Sequence, residues 1–227
     1  MDGLDVAAAE PAAAEPGHDC PLCPRLVAYR AANRAVEPHW HNAPVQSFGD
    51  PSARLLIVGL APGLRGANRT GRPFTGDFAG ELLYQTLLEY GFATGSYGAD
   101  PSDGLILTDC MITNAVRCVP PQNKPTPEEI ATCRQFLRGR IAAMEGVVAV
   151  LALGRIAHDS ILTAVGARRS AHPFAHGAHH TVRPNLSLFD SYHCSRYNTN
   201  TGRLTPQMFK AVVQAIRSRL GEPVAIR

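Results

Sequence analysis

Two sets of residues in this sequence have types and spacings suited to chemistry. The first is Cys20-x2-Cys23, Cys118 and Cys133. A tight pair can hold two corners of a metal site, and two distant thiolates can close it once the chain folds. Zinc and a 4Fe-4S cluster both accept four thiolates, and spacing does not choose between them. A packing role competes at Cys133, which falls on an apolar helical stripe. The second set begins with the loop Gly59-Leu60-Ala61-Pro62-Gly63-Leu64-Arg65-Gly66, which offers backbone N–H groups and close approach but fits neither the GxGxxG nor the P-loop template. Just after it, Asn68-Arg69-Thr70-Gly71-Arg72-Pro73-Phe74-Thr75-Gly76-Asp77 joins two arginines, an aromatic and a carboxylate in ten residues ahead of a helix. Phe74 also suits a core, and Asp77 also suits a helix cap.

The elements that must position these groups are readable as alternating strands and helices. Residues 54–60 form a continuous apolar run ending in Gly-Leu-Ala-Pro-Gly, as a buried parallel strand entering a tight loop would. Two further runs, 105–115 and 147–153, resemble it. A helix is expected over 78–90, with Leu82, Leu83 and Leu87 on one stripe and Gly91 as its stop. Thr126-Pro127-Glu128-Glu129 has the capping-box pattern, and the helix after it carries Ile130, Cys133, Leu137 and Ile141 at spacings of three and four. Another helix is expected over 155–165, a short strand over 186–189, and a last helix capped by Thr205-Pro206 with Phe209, Val213, Ile216 and Leu220 inward. Strands alternating with helices give a parallel α/β sheet, whose ligands bind beyond the carboxyl ends of the strands. The unusual residues lie at those ends.

The chain has 227 residues, 45% hydrophobic and 18% charged, values that exclude collagen, coiled coil and wholesale disorder. The longest clean apolar run, 147–153, is far shorter than the roughly 20 residues of a membrane span. Residues 1–17 are rich in Ala, Pro and Glu and are expected to be a disordered leader, with residues 18–227 a single domain. That leader has no Lys or Arg, so it lacks the basic start of a secretory signal, and a cytoplasmic location is expected. It carries Asp2, Asp5, Glu10 and Glu15; the rest of the chain then holds 22 Lys and Arg against 15 Asp and Glu, a balance suited to a polyanionic partner. Of the remaining cysteines, Cys110 sits inside a strand run and Cys194 beside a histidine, and disulfides are not expected in that compartment. His172, His176, His179 and His180 fall between Pro and Gly and are expected to lie in a loop without a metal.

The loop 59–63, the segment 68–77, Thr113-Asn114-Ala115-Val116-Arg117-Cys118, Ser191-Tyr192-His193 and the stretch 198–205 together resemble the family 5 (B-type) uracil-DNA glycosylases. The resemblance runs from about Cys20 to Leu220. It implies an α/β/α sandwich around a four-stranded parallel sheet, a 4Fe-4S cluster on Cys20, Cys23, Cys118 and Cys133, and excision of deaminated bases from DNA by a monomer. It also assigns roles. Phe74 would stack on a flipped base, beside Gly59, Ala61 and Gly63; Asn114 would pair with the pyrimidine edge. His193 would donate to the carbonyl oxygen that gains charge, and Asp77 would offset positive charge at the sugar and orient water. Arg69, Arg72, Ser195, Arg196 and Tyr197 would contact DNA. Two departures are visible: Ala61 replaces the polar residue of most other uracil-DNA glycosylase families, and Cys194 follows the histidine where the family has proline. The competing reading from another class is a non-catalytic iron-sulfur protein that binds nucleic acid. Retention of Asp77, Asn114 and His193 together favours the enzyme, because binding alone needs neither the carboxylate nor a donor to the leaving group.

Overall fold

The computed structural model describes residues 14–221. In chain order these form helix α1 (Pro24–Val36), strands β1 (Phe48–Gly49) and β2 (Leu55–Gly59), helices α2 (Ala67–Thr70) and α3 (Phe78–Glu89), and strands β3 (Ala93–Thr94), β4 (Ile106–Leu107) and β5 (Cys110–Asn114). There follow α4 (Pro127–Ala143), β6 (Ala149–Leu153), α5 (Arg155–Val165), β7 (His179–Arg183), β8 (Leu186–Ser191), α6 (Arg196–Asn200) and α7 (Pro206–Leu220).

The main sheet runs β1-β5-β2-β6-β8-β7. Its four central strands are parallel, in register from Leu55 beside Cys110 to Leu153 beside Ser191. Every residue of those strands is buried, as expected of a parallel sheet covered on both faces. Alternate residues feed two cores. Leu55, Ile57, Ile112 and Leu151 join Leu83 and Leu87 of α3 and Phe209, Val213 and Ile216 of α7. Leu56, Val58, Met111 and Val150 join Leu137 and Ile141 of α4 and Ile161 and Leu162 of α5. The three-layer sandwich is thus present. The four-stranded expectation is extended by two antiparallel edges, β1 on β5 and β7 on β8, too short or too polar to read as strands in the sequence.

The apolar run 105–115 is two strands. Asp109 breaks it with φ of 53°, and its carboxylate receives Arg54 Nε at 2.9 Å, so β4 leaves the main sheet and pairs with β3. The capping box is present: Thr126 Oγ1 accepts from Glu129 N while Glu129 Oε2 accepts from Thr126 N. The histidine segment is a loop only as far as residue 178, because His179 and His180 open β7. Residues 1–13 of the expected leader lie outside the described residues. Its last four residues are ordered on the domain: Glu15 receives Arg117 Nη1 at 2.8 Å and Arg140 Nη2 at 2.6 Å. The charge that marked Glu15 as part of a solvated tail is the charge that anchors it.

Candidate active site

The parallel arrangement brings Gly59, Asn114, Leu153 and Ser191 to one edge of the sheet, and the loops leaving these strands carry the unusual residues. A small cavity there is lined by Ala61, Pro62, Gly63, Ala67, Phe74, Asp77, Ala79, Asn114 and His193. It shares Ala61, Gly63, Asp77 and His193 with a larger open groove that adds Arg65, Arg155, Ile156, Ser195 and Arg196.

Asn114 ends β5 and is only 3% exposed. Gly59 lies beside it in register, and a Cβ at Gly59 would come within 2.4 Å of Asn114 Oδ1 and 2.6 Å of Phe74 Cζ. Glycine here makes room for both walls of the cavity. Phe74 has φ of 53°, a conformation that costs a bulky side chain on the order of 1–3 kcal/mol, and its ring faces His193 with 5.8 Å between centroids and 28° between planes.

Asp77 is the N-cap of α3, its Oδ1 accepting from Ala79 N at 3.1 Å. Capping and lining the cavity are therefore one position rather than alternatives. Burial pushes its carboxyl above the usual range, against the backbone N–H groups of Ala79 and Gly80 that favour the carboxylate. Burial pushes His193 down to about 4, so its imidazole is neutral near pH 7. Its Nδ1 is buried with no hydrogen-bond partner among the described residues, while the backbone is pinned by Asn198 Nδ2 donating to His193 O at 2.8 Å. A buried polar atom left unpaired costs stability. Cys194, where the family resemblance has proline, is fully buried in the core behind the cavity.

The sequence profile of the uracil DNA glycosylase superfamily matches residues 46–217. The chain belongs to that superfamily. It is 48% identical over 208 residues to the type-5 uracil-DNA glycosylase of Thermus thermophilus, covering 89% of this chain and 94% of that protein. The type-5 uracil-DNA glycosylase of Pyrobaculum aerophilum is 37% identical over 89% of this chain and 90% of its own. A type-4 uracil-DNA glycosylase of Sulfurisphaera tokodaii is 29% identical over 74% of this chain and 72% of its own.

In this glycosylase-superfamily chain the expected DNA contacts separate into two groups. Arg69 and Arg196 are exposed, Tyr197 is 72% exposed, and Ser195 caps α6 by accepting from Asn198 N. Arg72 is a correction. It is 5% exposed, its guanidinium is bound to Asp103 at 2.7 and 2.8 Å and to Thr75 Oγ1 at 2.7 Å, and it is committed to the fold rather than to a phosphate. Sequence reasoning placed it on the surface because Asp103 lies 31 residues away. It also passed over Arg155, which follows the carboxyl end of β6 directly; the rule that ligands gather at strand ends was the available signal.

Cys20, Cys23, Cys118 and Cys133 line one cavity together with Leu26 and Phe136. Arg117 N donates to Cys133 Sγ at 3.3 Å, and Arg30 Nη1 to Cys118 Sγ at 3.6 Å. Burial pushes Cys118 up to about 11 and Cys133 up to about 12, so without a cation both are thiols. Among the described residues no three His, Cys, Asp or Glu side chains are set to hold one metal ion. Cys110 packs in the sheet core away from this group. Among the described residues no helix is long and apolar enough to cross a membrane.

Proposed function

We propose that this protein excises uracil, and other deaminated bases, from DNA by hydrolysis of the N-glycosidic bond, leaving an abasic site. The observation that carries this reading is the convergence of Phe74, Asp77, Asn114 and His193 on one cavity in a chain of this superfamily. Its walls, an aromatic ring and an amide, suit a base removed from the stack, which costs a few kcal/mol to flip. Phe74 gives the base an aromatic face, and the Asn114 amide can pair with the base edge. As the bond between the sugar C1′ and the base nitrogen breaks, both electrons leave with the base and negative charge grows on its carbonyl oxygen. His193, neutral and half-buried, donates a hydrogen bond to that oxygen without a prior proton loss. The Asp77 carboxylate faces the positive charge left on the sugar and directs the water that adds to C1′, accepting its proton, while the departing base anion is protonated from solvent to leave as the neutral base. Ala61 contributes no polar group, so Asp77 is the side chain that orients water. Arg65, Arg155 and Arg196 in the adjoining groove supply sequence-independent attraction for phosphates.

A 4Fe-4S cluster held by Cys20, Cys23, Cys118 and Cys133 belongs to the same proposal. The donor set is four thiolates in an apolar wall, and N–H donors from Arg117 and Arg30 point at two of the sulfurs, as iron-sulfur ligands require. When bound, the cluster supplies a cross-link that ties the start of α1 to the loop following Asn114. Iron analysis should find about four irons per chain, and stoichiometric zinc without iron after anaerobic purification would reject the cluster.

The reading as an enzyme is tested with labelled oligonucleotides carrying uracil, hypoxanthine, xanthine or ethenocytosine, followed by alkali. Strand breaks at uracil are expected. Tight binding to uracil-containing DNA with no breaks at any of the bases would instead establish the non-catalytic binding protein.

A further inference from the structure

Phe74 is held in a strained backbone conformation, and the groups that hold it come from outside the cavity. Tyr97 Oη donates to Phe74 O at 3.2 Å, and Tyr84 Oη donates to Pro73 O at 2.5 Å. The two tyrosine rings stack at 4.7 Å between centroids and 29° between planes. Gly80 on α3 permits this approach, since a Cβ there would fall 1.9 Å from Phe74 O and 2.3 Å from Tyr97 Oη. On the other side Arg72 grips Thr75 Oγ1 and is itself clamped by Asp103. Tyr97 and Asp103 both belong to the connection between β3 and β4, and neither lines the cavity or the groove. Asp103 also accepts from Gly98 N at 2.8 Å and Leu105 N at 3.0 Å, so one carboxylate shapes the hairpin and fixes Arg72.

We propose that Tyr97 is a positioning residue for base excision, its hydroxyl holding Phe74 in the left-handed conformation that turns the aromatic ring onto the flipped base. The inference rests on the reading of Phe74 as the stacking face. A left-handed phenylalanine persists only where its surroundings over-determine it, and the Tyr97 hydrogen bond is the one such restraint on the Phe74 carbonyl that reaches it from the hairpin. Releasing it lets the 73–75 segment relax toward an extended backbone and swings the ring away from His193. Asp103 acts on the same segment through Arg72.

The test is a double-mutant cycle in the full-length protein with Tyr97→Phe and Phe74→Ala, read by single-turnover uracil excision, DNA affinity and melting temperature. Tyr97→Phe keeps the stacked ring and removes only the hydroxyl. It should slow excision about five- to tenfold, the scale of one neutral hydrogen bond, with DNA affinity unchanged. In the Phe74→Ala background the same change should have less than about a twofold effect, because the ring through which it acts is gone. Asp103→Asn, which loosens the segment from the Arg72 side, should reproduce the pattern if Tyr97→Phe is unfolded at the assay temperature. Equal losses in both backgrounds, or a full rate in Tyr97→Phe while Phe74→Ala is slow, would overturn the positioning role and leave the stacking role intact. A full rate in Phe74→Ala would overturn the stacking role and this inference with it.

Discussion

Two histidines close to the carboxyl ends of the strands, His158 buried and His193 half-buried, have opposite environments. His158 on α5 meets acceptors at both nitrogens: Asp190 Oδ1 lies 2.7 Å from Nδ1 and His172 O lies 2.9 Å from Nε2. Acceptors at both ring nitrogens favour the protonated ring; burial pulls its pKa down, but the hydrogen bond and charge of Asp190 raise it overall. His193 has no partner at Nδ1, and burial alone drives it to about 4. The first ring fixes the fold. It ties the loop 172–178 to β8, where His176 receives Tyr192 N at 3.2 Å. The second ring is left unsatisfied three residues beyond Asp190, where a reacting group can complete it. One histidine serves stability and the other is withheld from it, the first on α5 against β8 and the second in the loop leaving β8.

Substituting each histidine should separate the two roles. His193→Ala should lower single-turnover excision about a hundredfold or more, the usual cost of losing one preorganised donor, with little change in melting temperature. His158→Ala should do the reverse. It leaves Asp190, fully buried, without its imidazolium, and breaking such a pair destabilises by about 3–5 kcal/mol, read as a shift in the denaturant midpoint. Excision by the folded fraction should fall far less than in His193→Ala. If both variants lost stability equally and activity equally, the contrast would be false.

The two rings also carry opposite signs on a pH axis. The folded pKa of His193 lies below the unfolded value, so the stability it contributes is present above about pH 6.5 and is lost as pH falls toward about 4. The folded pKa of His158 lies above the unfolded value, so its contribution is present below about pH 6.5 and is lost as pH rises through the folded value. Melting temperature followed against pH should therefore lose its alkaline-side decline in His158→Ala and part of its acid-side decline in His193→Ala.

The smallest expected effect lies in the groove. Arg196 is exposed and stacks over Phe78 at 5.3 Å, so Arg196→Ala should weaken DNA binding alike for all sequences and reduce the slope of log affinity against log salt by about one. An unchanged slope would remove Arg196 from the phosphate contacts.

Much of this was legible in the sequence because it is local. The strands at 55–59 and 149–153, the capping box at Thr126, and Asp77 and Asn114 at strand and helix ends are written in neighbouring residues. What escaped depends on partners far along the chain. Arg72 reads as a surface cation until Asp103 is folded against it, and Glu15 reads as a solvated tail until Arg117 arrives, 102 residues later. Helix α1 buries only Leu26 and Arg30, too narrow a stripe to give a helical period. Tyr97 acts through the carbonyl of Phe74, and a backbone acceptor leaves no mark in the sequence.

Charge appearing at the sugar is met by Asp77, a carboxylate that also caps α3. Asp77→Asn keeps the size and the capping ability and removes the charge. Because burial disfavours the carboxylate, the variant should melt at the same temperature or slightly higher. Single-turnover excision of uracil and affinity for uracil-containing DNA, measured side by side, decide the matter. The account predicts a rate reduced about a hundredfold or more with affinity nearly unchanged. A near-normal rate in Asp77→Asn, together with lowered stability in Asp77→Ala, would make Asp77 a helix cap and nothing more.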